Sequence, residues 1–317
     1  LTATELTDAI DDANTVTGTT DTVFTITAVD TITGSEANFT DLLDDETAEQ
    51  ISITDQDLTV NDGEISVTNA NLLNGTTSGT VTATIDAGTR VDDLKTLNGS
   101  NAYTITIDNA DATGSTATEF NAINSATTVA IDASAVTGLA SDDIDDITTL
   151  LTAAADDTKF EDGSFGNLAT VVVADTSLTA TELTDAIDDA NTVTGGTDTV
   201  FTITAVDTIT GSEANFTALL ADEEAEQISI TDQNLTVTGT ISVSTANDLN
   251  DSTEGTVTAT IDADTTVDSL KTLEGTNAYT IAIADADATG STATEFNTID
   301  SATVSYTHLT LPTTLNV

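Results

Sequence analysis

The sequence predicts an α/β fold built from stacked repeats of a strand, a turn and a short helix. A long stretch of the chain recurs almost unchanged, and near-identical repeats in series are typical of solenoids. Short β-branched runs alternate with helix-start signals, which favours parallel strand pairing. We therefore expect a solenoid with a parallel sheet and repeats of about 22 to 42 residues each. A string of all-β, immunoglobulin-like sandwiches is the alternative architecture.

The long internal repeat divides the chain into two blocks. Residues 1–60 recur at 178–237 with five differences, an offset of 177 residues. A one-residue deletion then changes the offset to 176, and residues 101–127 match 277–303. This gives a first block at 1–177, with about six repeats, and a second, truncated block at 178–303.

Runs with period-two alternation of apolar residues are predicted as strands. They begin near Thr22, Ile51, Thr80, Ala102, Thr128 and Thr170, and the series restarts near Thr199. One face of each strand should pack under the helices. Tyr103 and Tyr279 lie on that face, so a core position is expected for both.

Helix starts are marked by Thr followed three residues later by Glu, the pattern of a capping box. It occurs at Thr2, Thr116, Thr179 and Thr292. The sequences SEANFTDLL and TRVDDLKTL are diverged forms of the same start. The segment 151–167 makes one repeat longer and is predicted to be a surface loop.

The chain is strongly acidic, with 55 acidic and four basic residues and a net charge of −51. Nucleic acid is therefore excluded as a partner, because phosphate contacts need clustered lysine and arginine. Divalent cations or salt are the expected counter-species. No Cys is present, so no disulfide framework is expected, and no apolar run is long enough to span a membrane. The chain starts within the repeat pattern and has no Met, which indicates an internal fragment.

The opposite face of the strands is rich in threonine and is a candidate interaction face. Stacked repeats would align these side chains in two files, similar to the threonine arrays of ice-binding solenoids. The candidate residues are Thr25, Thr27, Thr82, Thr84, Thr104, Thr106, Thr202, Thr204, Thr258 and Thr260. The simpler interpretation stays open, since Thr also suits any solvated strand face.

A calcium site is a second hypothesis from the sequence. DADATG contains Asp285 and Asp287 and resembles the opening of a calcium loop. The match is incomplete, because Thr289 stands at the third ligand position and Glu295 is one residue short of the twelfth. Diffuse binding by acidic runs such as SDDIDDI (141–147) is the alternative, as is a generic salt-adapted surface.

Enzymatic activity is not expected from these residues. There is no Cys, and the single His, His308, lies in the stretch VSYTHLTLPTT, where the repeat pattern stops after Thr303. This stretch resembles the translation of a transposase-type sequencing adapter, of the kind that enters metagenomic assemblies. We therefore interpret 304–317 as an artefactual tail; a genuine tail is the alternative.

The phrases GTVTATI, NAYTITI and TATEL, with Asp-rich turns between them, resemble repeat regions of very large secreted or cell-surface bacterial proteins. The composition and the repeat pattern are similar to those of very large adhesin-like proteins of marine cyanobacteria. The resemblance implies an extracellular, non-enzymatic spacer, possible partners being surface glycans or other cells. Calcium stiffening is part of this hypothesis. Binding of glycan or ice by the threonine face is the alternative function.

Overall fold

The chain forms two compact units, each with its own strands and helices. The computed structural model describes residues 1–108, 112, 114–196, 198–284 and 288–304. The first unit contains Leu1–Ala140 and Thr149–Leu168. The second contains Ser141–Thr148 and the described residues from Ala169 onward.

In the first unit, helices alternate with short strands along the chain. The helices are α1 (Ala3–Thr17), α2 (Glu36–Thr47), α3 (Val67–Thr76), α4 (Val91–Leu94) and α5 (Ala117–Ala126). The strands are β1 (Thr31–Ser35), β2 (Asp57–Asp62), β3 (Val81–Thr84) and β4 (Ala102–Thr104). They pair in chain order, β1-β2-β3-β4, and every pair is parallel. Strand β5 (Gly138–Asp142) and helix α6 (Ile144–Ala154) contain residues of both units.

The second unit repeats this alternation. Its strands are β6 (Thr170–Val173), β7 (Ser177–Thr179), β8 (Val200–Thr202), β9 (Thr208–Gly211), β10 (Asn234–Ile241), β11 (Val257–Ile261) and β12 (Ala278–Thr280). Its helices are α7 (Ala180–Thr194), α8 (Glu213–Glu224), α9 (Val243–Ser252), α10 (Val267–Leu270) and α11 (Ala293–Ser301). One sheet has the order β12-β11-β10-β9-β7, and another has the order β5-β6-β8.

The predicted α/β class is confirmed. Registered strand partners lie between 20 residues apart (Thr82 and Ala102) and 31 apart (Ser177 and Thr208), with helices on most of the connections. The all-β sandwich alternative is wrong for the described residues, because sandwiches are antiparallel and nearly helix-free, whereas these strands pair in parallel.

Two extended segments, rather than one strand, separate several successive helices. Between α1 and α2, Phe24 makes an isolated parallel bridge to Ile51, and β1 follows after a turn. The sequence analysis did not predict β1, because TITGS has a single apolar anchor, Ile32, which is fully buried. At the strand end, a Cβ on Gly34 would lie 3.1 Å from that of Ala3, so a small residue is favoured here.

The four predicted Thr–Glu capping boxes are confirmed, whereas the diverged start TRVDDLKTL has none, because Arg90 precedes α4 and makes no side-chain cap hydrogen bond. Thr2 Oγ1 accepts a hydrogen bond from Glu5 N (3.1 Å), and Glu5 Oε2 accepts one from Thr2 N (2.9 Å). The same reciprocal pair opens α5, α7 and α11. In the diverged start at α2, Asn38 takes the place of Glu and still completes the box with Ser35.

The two strand tyrosines are core residues, as the sequence predicted. Tyr103 and Tyr279 are fully buried. Their hydroxyls donate to Ala70 O (3.3 Å) and Ala246 O (3.1 Å) on the neighbouring helices. Burial raises the pKa of each phenol to about 12.

The prediction of a surface loop at 151–167 is wrong. Helix α6 continues to Ala154, and the segment after it buries Phe160 and Phe165 completely. The Phe165 ring makes edge contacts with Phe160 and Phe120, each with centroids 5.3 Å apart. Because these aromatic rings bury large apolar areas, the segment is part of the first unit's core.

Candidate functional site

The threonines of the predicted interaction face are exposed, but they belong to separate sheets. Thr202 is half-buried and the other nine are exposed. Thr82, Thr84 and Thr104 share the first unit's sheet. Thr258 and Thr260 lie on β11, whereas Thr202 lies on β8 in a different sheet. Thr25 and Thr27 precede β1 and lie outside the named strands.

The strand register aligns a different set of threonines more closely. In the second unit, registered partners place Thr179, Thr210, Thr236 and Thr258 in one row across four strands, which we call the threonine file. A shorter row contains Thr240, Thr260 and Thr280. Neighbouring strands of a sheet are about 4.8 Å apart, so the backbone positions of the file repeat at that spacing. The sequence analysis missed Thr179, Thr210 and Thr236, because it did not predict strands β7, β9 and β10.

A groove in the second unit contains two of the predicted threonines. It has a volume of about 560 Å³ and is lined by Thr202 and Thr204 together with Ser229 and Thr231. The hydroxyls of Ser229 and Thr231 are 2.8 Å apart. Carboxylates also line the groove, at Asp207, Glu223, Glu226 and Asp232. Hydroxyls and carboxylates side by side can hydrogen-bond a polyhydroxylated ligand.

The candidate calcium ligands Asp285 and Asp287 lie outside the described residues. Within the part of the chain that the structure describes, no group of three or more acidic side chains could hold a metal ion. The acidic runs are instead spread along helices, with Asp11 on α1 and Asp44 and Asp45 on α2.

Carboxylates of adjacent helices oppose each other at the same position in both blocks. On α8, burial raises the pKa of Asp222 to about 6, and the charge of Asp188 on α7 adds to the shift. At the equivalent position of α2, burial and then the charge of Asp11 raise the pKa of Asp45. A raised carboxylate pKa means that ionisation opposes the folded state.

Buried asparagines join successive repeats through hydrogen bonds, and we call these contacts the asparagine ladder. Asn101 Oδ1 accepts from Val81 N (2.9 Å), and its Nδ2 donates to Asn74 Oδ1 (2.8 Å) and Tyr103 Oη (3.2 Å). Asn101 is 3% exposed, so these groups have no access to bulk water. Three repeats are thereby tied together at one side chain.

The second block has the same ladder with the same atoms. Asn277 Oδ1 accepts from Val257 N (2.9 Å), and its Nδ2 donates to Asn250 Oδ1 (2.9 Å) and Tyr279 Oη (3.2 Å). The geometry is thus a property of the repeat and not of one location.

Other polar contacts between repeats also recur. Gln50 Nε2 donates to Asn14 Oδ1 (2.7 Å), and Gln227 Nε2 donates to Asn191 Oδ1 (2.6 Å). The sequence analysis did not find these pairs, because an Asn or Gln is predicted as a turn or surface residue unless the position of its partner is known.

A glutamate at the start of one helix caps the next helix. Glu213 Oε1 on α8 accepts from Ser242 N (3.0 Å) and Thr245 Oγ1 (2.8 Å) at the start of α9. These hydrogen bonds lower the pKa of Glu213. Glu36 makes the equivalent contact with Ser66 N (3.3 Å) in the first block. The starts of α3 and α9 are therefore stabilised by the repeat before them.

Two of the four basic side chains also form links between repeats. Lys95 Nζ contacts Asp92 (2.7 Å) and Glu119 (2.5 Å), the capping-box residue of α5. Lys271 pairs in the same way with Asp268 (2.6 Å) and Glu295 (3.3 Å). Hydrogen bonds to the carboxylates raise the pKa of both lysines, so both remain charged.

Comparison with known proteins gives no relative for this chain. No protein-family model matches it, and neither a curated protein nor a solved structure is significantly similar. Among the described residues, no helix is both long and apolar enough to cross a membrane.

Proposed function

We propose that this chain is a non-enzymatic structural repeat region, a spacer within a large extracellular or cell-surface protein. Its repeats would stack as a solenoid, in which each repeat contacts mainly its neighbours. The observation that supports this most is the asparagine ladder, which joins successive repeats in both blocks. Polar contacts of this kind fix the register of one repeat on the next, which a stiff spacer needs.

The acidic surface suits the same role. Like charge at high density keeps exposed strand edges from pairing with other chains. It also favours binding of divalent cations, which would relieve the repulsion at contacts such as Asp188 and Asp222. Calcium stiffening is therefore part of the proposal. The extracellular location rests on the sequence resemblance, and the absence of Cys is compatible with it.

Small-angle X-ray scattering tests the stacking, and thermal unfolding tests the cation effect. A solenoid gives the full chain one rod-like cross-section, whereas separate beads on a linker would contradict the proposal. For calcium, melting temperatures are compared in chelator and in millimolar calcium at matched ionic strength. A rise specific to calcium supports stiffening, since a ligand that prefers the native state stabilises it. An equal rise with sodium shows screening alone.

Protease treatment of intact cells that produce the parent protein tests the location. Cleavage at the cell surface supports the extracellular role. Full protection, together with cleavage after lysis, would contradict it.

A second candidate function is binding of a hydroxyl-rich ligand by the second unit. The threonine file and the groove beside Thr202 and Thr204 support it, because both present regularly placed hydroxyls. Glycan-array binding that weakens in a Thr204→Val variant would indicate the groove. Thermal hysteresis that disappears in a Thr236→Leu, Thr258→Leu variant would indicate ice binding by the file. A pure spacer shows neither activity.

A further inference from the structure

The turn between α4 and β4 contains an asparagine followed by glycine. Asn-Gly occurs at two places in the chain, Asn74–Gly75 and Asn98–Gly99. This dipeptide is chemically special, because glycine has no Cβ to hinder attack of its backbone nitrogen on the preceding side chain. The structure places the two copies in different environments.

Asn98 and Gly99 are exposed and lie outside any helix or strand. Gly99 has φ +82°, in the left-handed region that glycine favours. Within the part of the chain that the structure describes, the Asn98 side-chain amide and the Gly99 N–H have no hydrogen-bond partner. Both residues are exposed, and hydrogen bonds within this part of the chain hold neither the attacking nitrogen nor the amide that it attacks.

Asn74 and Gly75 lie in the last turns of α3, where the Gly75 N–H belongs to the helical hydrogen-bond pattern. Asn74 Oδ1 also accepts the hydrogen bond from buried Asn101 (2.8 Å). Reaction at this site requires both a helix turn and the asparagine ladder to open.

We propose that Asn98–Gly99 is a site of spontaneous deamidation and isoaspartate formation. The Gly99 nitrogen loses its proton to solvent base and bonds to Asn98 Cγ. The Cγ–Nδ2 bond breaks, and ammonia leaves after taking a proton from water. Water then opens the five-membered imide. Cleavage at Cγ gives aspartate, and cleavage at the original main-chain carbonyl gives isoaspartate.

The site lies next to the asparagine ladder. Asn98 O accepts a hydrogen bond from Asn101 Nδ2 (3.3 Å), and Asn98 N donates to Asn71 Oδ1 (2.8 Å). Isoaspartate adds one methylene to the main chain between Cα of residue 98 and the nitrogen of Gly99, and the carbonyl that accepts from Asn101 becomes part of a free carboxylate. Conversion therefore displaces Asn101 and loosens the first block's ladder, independently of the proposed spacer role.

The second block provides an internal control. Glu274 stands at the position equivalent to Asn98 and is followed by Gly275. Its backbone N–H makes the same contact, to Asn247 Oδ1 (3.0 Å). Glutamate has no amide to lose, so the second block keeps the turn without the reactive group.

The experiment incubates the full chain in mildly alkaline buffer and follows each Asn-Gly peptide by mass spectrometry. Labelling with an isoaspartyl methyltransferase identifies the isoaspartate form. We expect residue 98 to convert at least about tenfold faster than residue 74, because reaction at residue 74 needs local unfolding. In urea the two rates should become similar. An Asn98→Gln variant should lose the fast methylation.

Equal rates at both sites in the native protein, or an unreacted Asn98, would overturn the proposal. Hydrogen exchange at Val81 tests the link to the ladder. Aged wild-type protein should lose protection at Val81, while aged Asn98→Gln protein keeps it. Unchanged protection in fully converted protein would overturn that link.

Discussion

Removing the central side chain of the asparagine ladder should destabilise the first unit strongly. In an Asn101→Ala variant, the Val81 N–H loses its acceptor at 2.9 Å and stays buried, since Val81 is fully inaccessible to solvent. The Asn74 carbonyl and the Tyr103 hydroxyl lose a donor at the same time. Alanine can replace none of these contacts.

The magnitude follows from these lost bonds. A buried N–H without a partner costs about 1–3 kcal/mol, and each further hydrogen bond contributes about 1 kcal/mol net. We therefore expect the free energy of unfolding of the first unit to fall by about 3–5 kcal/mol. With a urea m-value of about 2 kcal/mol/M, the midpoint of that transition should fall by about 1.5–2.5 M.

Urea unfolding followed by circular dichroism measures this loss, and hydrogen exchange at Val81 assigns it to the ladder. Asn277→Ala is the matched variant in the second block, where Val257 N loses its acceptor at 2.9 Å. Ser100→Ala, at an exposed neighbouring position, is the control and should change little.

A loss below about 0.5 kcal/mol in both asparagine variants is the size expected of ordinary surface substitutions. That result would refute the reasoning. So would a large loss at Asn101 with full protection retained at Val81, because the ladder would then not be its cause.

Three further predictions concern the core, the ion pairs and the carboxylates. Phe120→Ala removes a fully buried ring that contacts Phe165. The free energy of unfolding, measured by urea unfolding, should therefore fall by about 3–5 kcal/mol. A fall no larger than that of Phe120→Leu would contradict this. Lys95→Met breaks exposed ion pairs, so the melting temperature should fall slightly at low salt and not at about 1 M salt. Burial and the charge of Asp188 raise the pKa of Asp222 to about 6, so the contribution of this carboxyl group to stability is lost as pH rises from about 4 to 6. Asp222→Asn should therefore be more stable than wild type at pH 7, and the difference should vanish below about pH 4. Thermal unfolding of both proteins across this pH range measures it. A difference in stability that stays constant with pH would contradict the raised pKa of Asp222.

Features set by neighbouring residues could be predicted from the sequence. The capping box needs only Thr2 and Glu5, three residues apart, and a helix starts at each of the four predicted boxes. The burial of Tyr103 followed from alternation along one strand. Near-identity of the two blocks then extends each of these inferences to both.

Features set by pairing between distant segments could not be predicted in this way. Asn101 binds a strand 20 residues before it and a helix 27 residues before it, so its role needs the strand register. The threonine file likewise depends on which residues face each other across strands. Phe160 and Phe165 were assigned to a surface loop because the segment that contains them makes one repeat longer than the others. The edge contacts between their rings form only after the chain turns back on itself.

The recurrence of the same ladder atoms 176 residues apart has a consequence for the gene. Nearly identical coding blocks favour unequal crossing-over, which adds or removes a whole block in frame. Asn74 and Asn250 present the same oxygen to the following repeat, so a recombined chain needs no new interface at the junction. A chain with one block more or one block fewer should therefore keep the same contacts between successive repeats.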